Sequence, residues 1–288
     1  MPLASLALEE LSDQLSSMGL IPAERVPLFL GLPEPRPGWT QAHAMATATE
    51  LAKNGLPGIP GLEVTPLPLG HAAGLHAMAL AITQLESGTC EWCIVGGVDS
   101  YLDADTLDWL AEHRQLQTFT TRSAFFPGEG AAFLVLTTLE VLRARKLSSR
   151  AHIVGVGTAQ ESALIKTEDI CLGQGLQAAI AHACADPRYR GVPIDDVYCD
   201  INGERYRSEE WGFVALANAQ PFVDPTAFHA PASSWGDVGA ASGPLFAILA
   251  AHTWIPGHII SAPRGPSALI WASSEGGLRG AARLHKPF

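Results

Sequence analysis

The sequence predicts a layered α/β fold, internally duplicated, with halves 1–150 and 151–288 packed as one compact unit. Three observations carry this prediction. Two helical stretches, His71–Leu85 and Ala241–His252, are almost wholly apolar on every side, as a helix enclosed by other layers must be. Short apolar, strand-like runs alternate with helical stretches along the chain. The order of these segments in the first half recurs in the second, at a period too long for a solenoid.

Composition agrees with a large dry core. The 288 residues are 47% hydrophobic and 16% charged, well under the usual quarter, which excludes disorder. The net charge of −11 opposes a general nucleic-acid or anionic-membrane surface, so neither partner is expected. The longest apolar run, Pro244–Ala251, is less than half of the roughly 20 residues a membrane span needs. The amino terminus has no basic residues and runs into Glu9 and Glu10, unlike a signal peptide. Five cysteines, an odd number, fit a reducing compartment, and a soluble cytoplasmic protein is expected.

The elements follow in order. Leu6, Leu8, Leu11, Leu15 and Met18 recur at helical spacing in a first helix over 4–19. Arg25–Leu32 reads as a buried strand closed by the proline-rich stretch 33–37. A helix spans Thr40–Lys53 with Thr40 as its cap. Gly61–Gly70 is a strand stopping at its prolines, and the buried helix His71–Leu85 follows. Glu91–Asp99 is a buried strand ending in Gly96-Gly97. Ala104–Glu112 is a helix, Gly130–Leu136 a core strand and Leu139–Lys146 a helix with a basic end. In the second half, Ala151–Gly157 is a strand, Gly173–Cys184 a helix, Val197–Ile201 a strand and Trp211–Asn218 a helix. The buried helix Ala241–His252 precedes a final strand, Ser267–Ala272.

Three segments carry a family resemblance. Leu69-Gly-His-Ala-Ala-Gly-Leu-His-Ala-Met78 resembles the nucleophile turn and buried helix of β-ketoacyl synthases. Cys93-Ile-Val-Gly-Gly-Val-Asp-Ser100 resembles the Gly-Gly-x-acid strand end after that helix, and Phe126-Pro-Gly-Glu-Gly-Ala-Ala-Phe-Leu-Val-Leu136 the turn and strand beyond. Ser234-Trp-Gly-Asp-Val-Gly-Ala-Ala-Ser-Gly243 looks like the later Gly-His motif. The chain is thereby identified as a member of the thiolase-like superfamily on its ketosynthase branch. That implies a layered α-β-α-β-α fold, shorter here than a full ketosynthase, its first strand and parts of its substrate-covering loops being absent.

The catalytic set departs from the pattern. The resemblance requires a cysteine at the head of the buried helix, where the helix dipole and free amides activate a thiol and bind an oxyanion. His71 stands there. Asp200 and Asp237 replace the two histidines that support decarboxylation and condensation. Ionised carboxylates only accept hydrogen bonds, so they oppose a developing negative charge. The glycine-rich turn before the last strand is replaced by Ala262–Ser267. No condensing catalysis and no cofactor are expected. Two readings of His71, Asp200 and Asp237 stand open: acids pairing with His71⁺ in a retired pocket, or a new hydrolytic or metal-binding cluster of one imidazole and two carboxylates. Glu129 and Glu204 are further acids in this region.

Other motifs are weaker. Cys90-Glu-Trp-Cys93 has C-x-x-C spacing but bridges a helix end and a strand start, so it reads as two free cysteines. No second C-x-x-C completes a zinc site. Gly155 and Gly157 read as packing glycines and His76 as a satisfied core histidine. Asp200–Phe213 is unusually rich in Arg, Tyr, Trp and acids. It reads either as a turn with a helix starting near Ser208, or as a recognition surface built on Arg205, Tyr206, Arg207 and Trp211. This stretch and Arg25–Gly38 resemble a group of small stand-alone thiolase-like proteins associated with type VI secretion. The resemblance implies a non-catalytic adaptor for an effector or adaptor protein, as a homodimer or heteromer. The alternative is a protein that handles acyl thioesters or acyl carrier protein.

Overall fold

The computed structural model describes residues 2–20, 25–56, 59, 61–218, 221–255, 257 and 265–287. Residues 262–264 of the replaced glycine-rich turn lie outside them. The first half runs α1 (Pro2–Ser17), β1 (Val26–Leu32), α2 (Gln41–Asn54), β2 (Leu62–Pro68), α3 (Ala73–Glu86), β3 (Trp92–Ser100), α4 (Ala104–Glu112), β4 (Glu129–Thr137) and α5 (Leu139–Arg145). The second runs β5 (His152–Gln160), α6 (Gln174–Ala183), β6 (Asp196–Cys199), α7 (Arg205–Ala217), α8 (Ala232–Trp235), α9 (Ser242–Thr253), β7 (Ser267–Ser273) and β8 (Leu278–His285). Among the described residues, no helix is long and apolar enough to cross a membrane.

Two four-stranded sheets form, β2-β1-β3-β4 and β5-β8-β7-β6, and each draws its strands from one side of residue 150. Strand alternation sorts side chains between layers. Cys93 and Val95 join α3 and α9 in the central core, while Ile94 faces α1 and α2 on the outside. In the second sheet Ala268, Ile270 and Ala272 face the centre, and Leu269 and Trp271 pack with α6 and α7. The result is five layers: outer helices, sheet, the α3 and α9 pair, sheet, outer helices. The central helices approach backbone to backbone. A Cβ on Gly97 would lie 2.2 Å from the Ala240 carbonyl oxygen, and one on Gly74 would lie 2.3 Å from the Pro244 ring. Gly155 and Gly157 likewise press against α6.

Three expected elements differ. Strand β2 runs through its prolines, because it pairs only with β1 and its other edge needs no ladder hydrogen bond there. Helix α7 starts at Arg205, ahead of the Ser208 start read from sequence. Strand β8 was not expected, because Arg279 and Arg283 interrupt its apolar run. Both are buried: Arg279 pairs with Glu210 at 2.6 Å, and Arg283 donates to the Val192 carbonyl at 2.7 Å.

Candidate functional site

The two buried helices begin alike. Each is preceded by a short 3₁₀ turn, Gly70–Ala72 before α3 and Gly239–Ala241 before α9, and each turn opens on a glycine with positive φ, 71° and 48°. Each half then caps the helix of the other. The Ala72 N–H donates to Ser274 Oγ at 2.9 Å, and the Ala240 N–H donates to Asp99 Oδ2 at 3.0 Å. Ser274 follows β7, and Asp99 lies near the end of β3, so the arrangement is reciprocal.

His71 lies in the first of these turns, buried, with Nε2 3.0 Å from both Asp237 carboxylate oxygens. Asp237 also accepts from Asn202 Nδ2 at 2.6 Å and from the Gly239 N–H at 2.8 Å. The guanidinium of Arg207 fills the space beside the imidazole, with Nη2 3.4 Å from Nδ1 and 3.2 Å from Nε2. Its Nη1 donates to Asp200 Oδ2 at 2.5 Å and to the Ser273 carbonyl at 2.8 Å. Asp200 therefore pairs with Arg207, and Asp237 alone pairs with His71. This corrects the picture of both acids converging on His71, and Arg207 occupies the ground a metal ion would need between them.

A second carboxylate cluster extends outward. Glu204 accepts from Gln115 Nε2 at 3.1 Å, Asn202 Nδ2 at 3.1 Å and the Tyr206 hydroxyl at 2.5 Å, with Lys166 Nζ 3.7 Å away. Beyond it lies a cleft of about 320 Å³ lined by Trp109, His113, Arg114, Lys166 and Tyr206. Glu129 is separate: it is exposed and accepts from Ser100.

The electrostatics follow from this packing. Burial and the Arg207 charge both oppose protonation of His71, but the Asp237 charge and hydrogen bond, with Asp200, outweigh them and raise its pKa. Burial pushes the Asp237 carboxyl up, yet His71 and Arg207 hold it far below the usual carboxylate range. Glu204 is lowered too, burial being overcome by Arg207 and Lys166. When neutral, His71 satisfies Asp237 by donating from Nε2.

Chemically, the centre holds no thiol, and the Ala72 amide at the head of α3 is occupied by Ser274. The imidazole has a carboxylate on one side and a guanidinium on the other. Among the described residues, Glu161, Cys171 and Glu210 are the one group whose metal-ligating atoms come together, within 4.8 Å. Glu210 is already paired with Arg279, and Glu161 accepts backbone N–H groups of Ser162, Ala163 and Gly175. Arg279 thus balances the Glu210 charge, and the three N–H groups solvate the Glu161 carboxylate.

Two of the residues read as a recognition surface are internal. Arg207 is 0% exposed and Trp211 3% exposed; Trp211 stacks on Trp271 and donates to the Pro225 carbonyl. The cause is the earlier start of α7, which turns Arg207, Glu210, Trp211 and Val214 to one inward face at i, i+3, i+4, i+7. Arg205 is exposed and paired with Glu209, and Tyr206 is half-buried at the cleft. His76 is half-buried, and its Nδ1 lacks a hydrogen-bond partner among the described residues; burial lowers its pKa and keeps it neutral.

The comparisons with known proteins fit this geometry. The chain superposes over 100% of its length on the ketosynthase from module 6 of the bacillaene synthase from Bacillus subtilis 168, with TM-score 0.76 at 16% identity. It does so over 99% on the ishigamide ketosynthase/chain length factor, with TM-score 0.73 at 17% identity. This is a ketosynthase-like, thiolase-like fold. It corresponds to 60% of the first of those chains and 82% of the second. Residues 70–141, from the His71 turn into α5, match the Beta-ketoacyl synthase, N-terminal domain family. The "Putative polyketide beta-ketoacyl synthase 1" of Streptomyces cyaneus is 30% identical over 157 residues, 49% of this ketosynthase-like chain and 36% of that protein.

Proposed function

We propose that this ketosynthase-like chain performs no condensation and serves as a protein-binding scaffold in the cytoplasm, for an effector or adaptor of a type VI secretion system, as a homodimer or heteromer. The observation that carries the non-condensing part is Arg207. Its guanidinium stands between His71 and Asp200, where a condensing centre needs a thiol and neutral donors around an acyl group. Support for the secretion partner comes from the resemblance of Arg25–Gly38 and Asp200–Trp211 to that stand-alone group. Of the residues read as a recognition surface, Arg205 and the edge of Tyr206 remain available to a partner.

The test pairs an assay with a capture. Malonyl-thioester decarboxylation by the purified chain is expected to stay at the buffer rate, and to stay there in His71→Cys, because Arg207, Asp200 and Asp237 persist. Turnover by the unmodified chain overturns the proposal. Affinity purification from the native host should recover one partner in stoichiometric amount, weakened by Arg205→Glu. A second reading, handling of acyl thioesters or acyl carrier protein, has the 320 Å³ cleft beside Glu204 and Tyr206 in its favour. Thermal stabilisation by an acyl-CoA, with no protein partner captured, would select it.

A further inference from the structure

We infer that Cys90 and Cys93 form a reversible intramolecular disulfide, a redox site in the turn that joins α3 to β3. The two Sγ atoms are 3.2 Å apart, nearer than two unbonded sulfurs ordinarily approach. A disulfide has its sulfurs about 2.05 Å apart, so bond formation needs only a small closing movement of two side chains three residues apart. The two thiols differ in access. Cys90 is half-buried in the turn, whereas Cys93 is enclosed in the central core with its Sγ toward the Ala81 carbonyl. Cys90 is therefore the sulfur that an oxidant reaches, and Cys93 the one that resolves it.

With a small disulfide such as oxidised glutathione as oxidant, the Cys90 thiolate attacks one of its sulfurs and releases one reduced thiol. The Cys93 sulfur, giving up its proton, then attacks the Cys90 sulfur of the mixed disulfide and releases the second. Two protein thiols are oxidised, one external disulfide is reduced to two thiols, and the two protons end on the leaving thiols. Burial raises the Cys93 pKa, so little of it is thiolate and the resolving attack is the slower of the two steps. The product ties the turn after α3 to the first residues of β3.

The test uses the full chain. Trypsin sites at Lys53 and Arg114 bracket a peptide that contains Cys90 and Cys93 and no other cysteine. After equilibration in glutathione buffers of increasing oxidation, alkylation and digestion, this peptide is expected to be lighter by two hydrogens, with both cysteines protected from alkylation. The intramolecular form should exceed the glutathione adduct at least tenfold. Cys93→Ser should divert the reaction to a stable glutathione adduct on Cys90, and Cys90→Ser should leave Cys93 reduced. Persistence of two free thiols, or a predominant adduct on Cys90 in the unmodified chain, overturns the inference. Because the readout is on the unmodified protein, a variant that fails to fold does not obscure it.

Discussion

Helices α7 and α9 belong to the same half and are buried by opposite means. On α9, Phe246, Ala247 and Ala250 enter the central core, and the buried Thr253 hydroxyl is satisfied within the helix by the Ala250 carbonyl. On α7 the inward stripe is Arg207, Glu210, Trp211 and Val214, so two full charges enter with the apolar residues. Each charge is matched from another element: Arg207 by Asp200, and Glu210 by Arg279 on β8. The α9 surface packs by shape alone, down to the approach of Gly74 to the Pro244 ring, whereas α7 docks only if every charged partner arrives. These charge pairs act as a specificity device, since a helix carrying such charges has one acceptable resting place.

The largest expected effect sharpens this contrast. Arg207→Met removes a counter-charge from Glu204 and Asp237 and leaves Asp200 with no ion pair, and it is expected to cost about 3–5 kcal/mol by urea unfolding. Phe246→Ala, which empties a core site, should cost a similar ~3–5 kcal/mol. Acid separates the two. Protonating those carboxylates should shrink the Arg207→Met deficit as pH falls from 7 toward 4, while the Phe246→Ala deficit stays constant. Equal pH dependence would break the comparison.

A double-mutant cycle gives the next largest effect. Glu210→Leu or Arg279→Leu alone leaves a buried charge unpaired and should each cost about 3 kcal/mol, whereas the pair together should recover most of that loss. Additive losses would show that α7 depends on packing alone.

The smallest effect is the pH profile of the unmodified chain. The raised His71 pKa contributes stability that is full below its unfolded value, about 6.5, and is lost as pH rises through the folded value. The depressed Asp237 pKa contributes stability that is full above about 3.8 and is lost as pH falls through its folded value. Stability from this pair should therefore plateau between about pH 4 and 6.5 and decline on the alkaline side. The decline should disappear in His71→Gln. A decline that persists there would assign it to other groups.

Much of the fold was legible in the chain. Helices α3 and α9 announce themselves because they are apolar all round, and Thr40 caps α2 through a capping box with His43. His71 and Asp237 were placed by motif, and the structure brings them into contact. Arg207 was not legible as an internal residue, because a charged stretch reads as solvent-facing unless its partners are known. Those partners are Asp200, the Ser273 carbonyl and His71, the last 136 positions away. The available signal was the stride 207, 210, 211, 214, which marks one helix face whatever its chemistry. Strand β8 escaped for the same reason, its arginines being satisfied by Glu210 and by carbonyls distant in sequence.

The reciprocal capping of α3 and α9 bears on how the chain tolerates being cut. A nick in the connection between Arg145 and His152 would leave two fragments, each with a buried helix whose Ala72 or Ala240 amide lacks its acceptor, Ser274 or Asp99. Neither fragment holds the groups that complete its own centre, and each holds those that complete the other's. Co-expressed, they should reassemble without a linker, and expressed singly each should remain insoluble, which makes the two halves a natural complementation pair.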